Sequence, residues 1–185
     1  IFTPSSAGIG NQTITYTYTD GNGCTNSQNQ SATVNSLPAI TFSGLDTSYC
    51  VNGSDVSLTG FPSGGTFSGT GISGNTFSPS TAGVGTHPIM YSFTSGNGCT
   101  NDTAISANVY DAPVVSFSGM ASGYCINASP SALTGNPVGG NFSGNGISGN
   151  SFYPSIAGAG THSITYTYSD GNNCTNSQTQ SVDVY

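Results

Sequence analysis

Apolar and hydroxyl residues alternate with period two in Ile14-Thr15-Tyr16-Thr17-Tyr18-Thr19 and again in Ile164-Thr165-Tyr166-Thr167-Tyr168. This is the pattern of a strand with one buried face. It predicts Ile14, Tyr16 and Tyr18 on a core, with the threonines turned to water. Asp20-Gly21-Asn22-Gly23 follows at once and supplies residues that tolerate a positive φ in a hairpin turn. Comparable runs between turn signals predict strands over 39–43, 55–59, 66–68, 76–78, 87–94 and 103–110.

These runs recur at a fixed spacing of 75 residues: Cys24, Cys99 and Cys174 obey it, as do Phe2, Phe77 and Phe152, and Pro4, Pro79 and Pro154. Cys50 and Cys125 are also 75 apart. Residues 36–110 laid over 111–185 match at 40 of 75 positions without a gap, so the chain reads as two full copies preceded by the last part of a third. Short links at Ser36-Leu37-Pro38 and Asp111-Ala112-Pro113 set the expected boundaries: 1–36 as the C-terminal half of a repeat, then 37–111 and 112–185 as complete repeats. Such links, stiffened by proline, should hold neighbours at a nearly fixed angle and make the chain a rod. Six or seven short antiparallel strands in about 75 residues predict an all-β fold of tandem immunoglobulin-like β-sandwich domains, although the buried Trp of antibody domains is missing.

Composition sharpens this reading. Gly, Ser, Thr and Asn fill more than half of the chain, all seven acids are Asp, and there is no Lys or Arg. Scarcity of Leu, Lys, Glu and Arg removes most strong helix formers, while Thr, Tyr, Phe, Val and Ile favour strands. Disorder is the alternative for so polar a chain, but ten Tyr, nine Phe and low charge are enough for small β cores. A formal charge of −7 without a cation excludes nucleic acid as a partner, because phosphate binding draws on Lys and Arg. It also argues against docking on anionic membranes, and no apolar run approaches the ~18–20 residues of a membrane span. Ile1 opens the chain without a charged or apolar leader, which suits a mature or excised piece.

Each full copy carries one early and one late cysteine, and no Cys-x-x-Cys pair suggests a metal site. The spacing predicts disulfides Cys50–Cys99 and Cys125–Cys174, each worth roughly 4 kcal/mol on the chain-entropy account. Buried free thiols are the alternative. Disulfides place the chain in an oxidising setting outside the cytoplasm. Cys24 has no early partner within the chain, so residues 1–36 are an orphan back half. Its front half is expected upstream in a longer polypeptide or, as a second choice, from a neighbouring subunit by strand addition.

Other motifs have structural readings. Gly69-Thr70-Gly71-Ile72-Ser73-Gly74 and Gly144-Asn145-Gly146-Ile147-Ser148-Gly149 match dinucleotide-fingerprint spacing, but they lead into strands where the fingerprint needs a helix. His87 and His162 read as surface residues at strand starts, with Gln12 at the matching place in 1–36. Asp20 and Asn22 resemble part of a calcium loop, yet Ser95 replaces the acid in the middle copy. Seven Asn-X-Ser/Thr sites, at Asn11, Asn29, Asn52, Asn101, Asn127, Asn141 and Asn173, are candidate glycan acceptors. In a bacterial host the Ser and Thr hydroxyls are equally open to modification.

The run Pro62-Ser63-Gly64-Gly65-Thr66-Phe67-Ser68-Gly69, with Phe77-Ser78-Pro79, Ala82-Gly83, Gly85-Thr86-His87 and Gly96-Asn97-Gly98-Cys99, resembles the Ig-like repeats of very large secreted surface proteins of gliding bacteria, including motility adhesins and cell-surface filaments. The resemblance implies a β-sandwich, export through a dedicated secretion system, and no enzymatic activity. The expectation is therefore a non-enzymatic structural stretch of an extracellular filament or adhesin stalk at the cell surface, without cofactor. Its partners would be copies of itself, head to tail or in one long polypeptide, with glycans as a coat. A stalk of this kind offers trypsin-like proteases no Lys or Arg to cut after. The alternative is a carbohydrate-binding or adhesive module in which exposed aromatics such as Tyr153 or Phe61 stack on sugar.

Overall fold

The computed structural model describes all 185 residues as a mostly β protein, with helix confined to three four-residue turns. The first segment holds α1 (Pro4–Ala7) and a hairpin of β1 (Gly10–Thr19) and β2 (Thr25–Val34). The middle segment holds β3 (Thr41–Ser43), β4 (Ser48–Cys50), β5 (Val56–Ser57), β6 (Thr59–Phe61), β7 (Thr66–Ser68), β8 (Ile72–Ser73) and β9 (Thr76–Phe77). It closes with α2 (Pro79–Ala82), β10 (Gly85–Thr94) and β11 (Thr100–Tyr110). In the last segment follow β12 (Ser116–Ser118), β13 (Gly123–Tyr124), β14 (Ser131–Ala132), β15 (Thr134–Asn136), β16 (Asn141–Ser143), β17 (Ile147–Ser148) and β18 (Ser151–Phe152). There α3 (Pro154–Ala157), β19 (Gly160–Ser169) and β20 (Thr175–Val184) complete the chain.

The long strands form where the period-two pattern is strongest, and each helical turn begins on a proline, whose fixed φ suits a first helical position. In the middle segment the sheets are β4-β11-β10-β7, β3-β6 and β5-β9-β8; in the last they are β13-β20-β19-β16, β12-β15 and β14-β18-β17. The strands are not all antiparallel, as the sequence suggested. After β3 the chain passes over Gly44–Thr47 to the four-stranded sheet, and β4 lies parallel to the final residues of β11, with Cys50 opposite Tyr110. At the matching place β13 lies parallel to β20.

Two separate cores result. One gathers Leu58, Phe67, Phe77, Ile89, Tyr91, Ala107 and Val109. The other gathers Phe117, Leu133, Phe152, Ala157, Ile164, Tyr166, Val182 and Val184. Tyr91 shows how each is sealed. Its ring is buried, and its hydroxyl accepts the Gly65 N–H at 2.9 Å and donates to the Pro62 carbonyl. Tyr166 does the same with Gly140 at 2.8 Å and Pro137 at 2.5 Å. A side chain at Gly60 or Gly65 would overlap the Tyr91 ring, so glycine is required by this close approach. Burying each such aromatic is worth about 1.5–3 kcal/mol.

The first segment departs from expectation. Ile14, Tyr16 and Tyr18 are 39%, 70% and 60% exposed, whereas Ile164 and Tyr166, on the same strand pattern, are 0% and 2% exposed. The alternation did produce a strand, but no second layer covers β1–β2, and its apolar face meets water.

Each complete segment is entered and left at opposite ends. Asn101 Nδ2 donates to the Pro38 carbonyl and Asn176 Nδ2 to the Pro113 carbonyl, both at 2.9 Å, which ties the incoming chain to the turn end of the long hairpin. The chain leaves after Tyr110 or Tyr185, a strand length of about 33 Å away for ten residues. No helix is long and apolar enough to cross a membrane.

Candidate functional site

The long hairpins β10–β11 and β19–β20 carry Cys99 and Cys174 in their turns, whereas Cys50 and Cys125 sit beside Tyr110 and Tyr185 at the far ends of β11 and β20. A pair within one segment would have to bridge about 30 Å, against the 4.4–6.8 Å between Cα atoms that a disulfide permits. The expected Cys50–Cys99 and Cys125–Cys174 bonds are therefore absent. Instead Cys50 is bonded to Cys174, with a Cα–Cα distance of 5.4 Å, across the junction of the middle and last segments.

Both halves of this junction are shaped by local hydrogen bonds. On the middle segment, the Val51 N–H donates to the Tyr110 carbonyl and the Gly53 N–H to the Cys50 carbonyl, both at 2.8 Å, fixing the turn after β4. On the last segment, Asp170 Oδ1 accepts the N–H groups of Asn172 at 2.9 Å and Cys174 at 2.8 Å, fixing the hairpin turn. Asn52 Nδ2 then donates to the Thr175 carbonyl at 3.0 Å, a second link across the junction. Cys174 is fully buried there. The other three thiols are unbonded: Cys24 and Cys125 are exposed and Cys99 is half-buried.

A hint of this pairing lay in the sequence. Strand runs flank Cys99 closely on both sides, which puts it in a turn at one end of its segment. Asn52, noted only as a glycan acceptor, is a junction residue that the sequence reading missed.

The remaining candidates occupy structural positions. His87 Nε2 meets the Gly83 carbonyl and His162 Nε2 the Gly158 carbonyl, each at 2.9 Å, and Gln12 Nε2 donates to Gly8 at 3.1 Å. All three hold the turn before a long strand. Asp20 Oδ1 accepts the N–H groups of Asn22 and Cys24 at 2.9 Å, which employs it as a turn former; Ser95 Oγ takes the Cys99 N–H at 3.3 Å in its place. The glycines at 69–74 and 144–149 lead into the short strands β8 and β17.

Among the candidate acceptors, Asn11, Asn29, Asn127, Asn141 and Asn173 are exposed, while Asn52 and Asn101 spend their amide nitrogens on backbone carbonyls. Phe61 is exposed and Tyr153 half-buried, and they lie in different segments, so they form no shared platform. A shallow cleft beside Tyr91, lined by Gly60, Gly65 and Asn75, recurs beside Tyr166. Each measures about 170 Å³, below the ~300 Å³ at which ligand pockets begin. Tyr49, packed edge-on against Phe77 with ring centroids 5.2 Å apart, has its phenol pushed above its ordinary value by burial.

No family model matches the chain, and no curated protein matches it. Among solved structures it is similar to a Ca2+-stabilised adhesin with which an Antarctic bacterium binds ice, at 16% identity and a TM-score of 0.38. The match covers 95% of this chain and 57% of that one, a likeness at which neither fold nor function need be shared.

Proposed function

We propose that this chain is a structural, non-enzymatic stretch of an extracellular filament or adhesin stalk, built of tandem immunoglobulin-like repeats. The observation that carries this reading is the junction: Cys50–Cys174 and the Asn52–Thr175 hydrogen bond fasten the end of one segment to the beginning of the next. Because each segment is entered and left at opposite ends, such fastening stacks the segments lengthwise. A covalent link between segments resists pulling and bending, which is what a stalk must do and a free-standing binding module need not. The disulfide also favours an oxidising, extracellular site of action. Sugar on exposed Asn, Ser or Thr would coat the rod without disturbing the junction.

Small-angle scattering on the oxidised chain tests the reading. A rod in which each complete segment adds roughly 30–45 Å is expected from strands of about ten residues plus end loops. A compact particle with the two segments folded side by side would overturn it.

A further inference from the structure

The outer end of the last segment repeats the chemistry of the junction, and no part of these 185 residues covers it. Cys125 stands 75 residues after Cys50, Asn127 after Asn52, Ile126 after Val51 and Tyr185 after Tyr110. The backbone there has the same form: the Ile126 N–H donates to the Tyr185 carbonyl at 2.8 Å, as Val51 does to Tyr110. Exposure differs. Val51, Cys50 and Tyr110 are half-buried, whereas Ile126 is 44% and Tyr185 76% exposed, and the Cys125 thiol lies open beside them. A surface with this backbone, this Asn and this Cys is occupied at one junction by the hairpin turn of the next segment, with a buried cysteine at its tip.

We infer that Cys125, Ile126, Asn127 and Tyr185 form a docking face for the hairpin turn of a further copy of this repeat, sealed by a disulfide from Cys125 to that copy's late cysteine. The rule is that an early cysteine bonds the late cysteine of the following repeat, so the chain of staples runs along the whole array. By the same rule Cys99 is bonded by the early cysteine of whatever front half covers β1–β2. Bond formation follows thiol–disulfide exchange. The Cys125 thiolate attacks a disulfide oxidant such as oxidised glutathione and releases one glutathione thiolate. The incoming cysteine thiolate then attacks the Cys125 sulfur of the mixed disulfide and releases the second, so two protein thiols are oxidised and one glutathione disulfide is reduced.

The inference rests on the head-to-tail reading but fails separately from it, since an unstapled stalk still scatters as a rod. The test uses the full 185-residue chain in a buffer of oxidised and reduced glutathione, followed by non-reducing electrophoresis and disulfide mapping after peptic digestion. With Cys50 engaged by Cys174, Cys125 is the one early cysteine left, and Cys24 and Cys99 are the late ones. A ladder of covalent multimers is expected, linked Cys125–Cys24 or Cys125–Cys99 and dissolved by reductant. C125S should lose the ladder at least tenfold while retaining Cys50–Cys174. Cys125–Cys125 links, a ladder unchanged in C125S, or a wild-type chain that stays monomeric with Cys125 open to alkylation would each overturn the inference.

Discussion

Tyr49 joins three properties in one side chain. It sits in β4 beside Cys50, its ring packs edge-on against Phe77, and its oxygen accepts the Asp46 N–H at 2.6 Å. Burial disfavours the phenolate, and the nearby Asp46 charge adds to that, while the hydrogen bond opposes it; the net effect raises the folded-state value above the ordinary 10.0. An acid whose ionised form is disfavoured in the fold holds its proton more tightly there than in the unfolded chain. Its contribution is therefore complete below about pH 10 and is lost as pH rises through the folded value. The denaturant midpoint should fall as pH is taken from about 8 to about 11, and Tyr49→Phe should make that fall shallower. Equal slopes for the two proteins would show that Tyr49 ionises freely.

At the scale of elements, the long hairpins differ by what covers them. A two-stranded hairpin alone is marginally stable in water, and stability comes with a packed second layer. β10–β11 and β19–β20 have that layer, from Phe42 and Phe77 or Phe117 and Phe152, whereas β1–β2 does not. Backbone amides of Ile14, Tyr16 and Tyr18 should thus exchange with solvent at least a hundredfold faster than those of Ile89, Tyr91, Ile164 and Tyr166. Comparable protection measured by hydrogen exchange would mean that another surface covers the first hairpin. The same elements mark how far the sequence could be read. Long strands were legible where apolar and hydroxyl residues alternate without a break, as over Ile14–Thr19 and Ile164–Tyr168, and so was the asparagine- and glycine-rich turn that follows. β4, three residues with no alternation to speak of, was not legible, nor was its parallel pairing with the last residues of β11. Without β4 and its counterpart β13, nothing placed Cys50 and Cys125 beside Tyr110 and Tyr185, far from the hairpin turns, and both expected disulfides failed for that reason. The exposure of Ile14, Tyr16 and Tyr18 was illegible for a different reason: the pattern states which face is apolar, and only the layer packed against it decides whether that face is buried.

For the whole molecule, the location of the disulfide determines whose stability it supports. With Cys50 held to Cys174, unfolding the middle segment alone leaves a closed loop from Cys50 to the link near Asp111, because the last segment still anchors both ends. Unfolding the last segment alone closes a similar loop from that link to Cys174. Each loop spans about 60 residues, for which the chain-entropy account gives roughly 4 kcal/mol. One bond between segments should therefore stabilise both of them. Bonds within segments would act otherwise: Cys50→Ser would weaken the middle segment only and Cys174→Ser the last segment only, with the two losses adding. Because both cysteines belong to a single bond, each single variant should lower both unfolding transitions, by up to about 4 kcal/mol apiece, and the double variant should be no less stable than either single one. A double-mutant cycle read by calorimetry separates these cases, since additive losses assigned to different segments are incompatible with a staple across the junction.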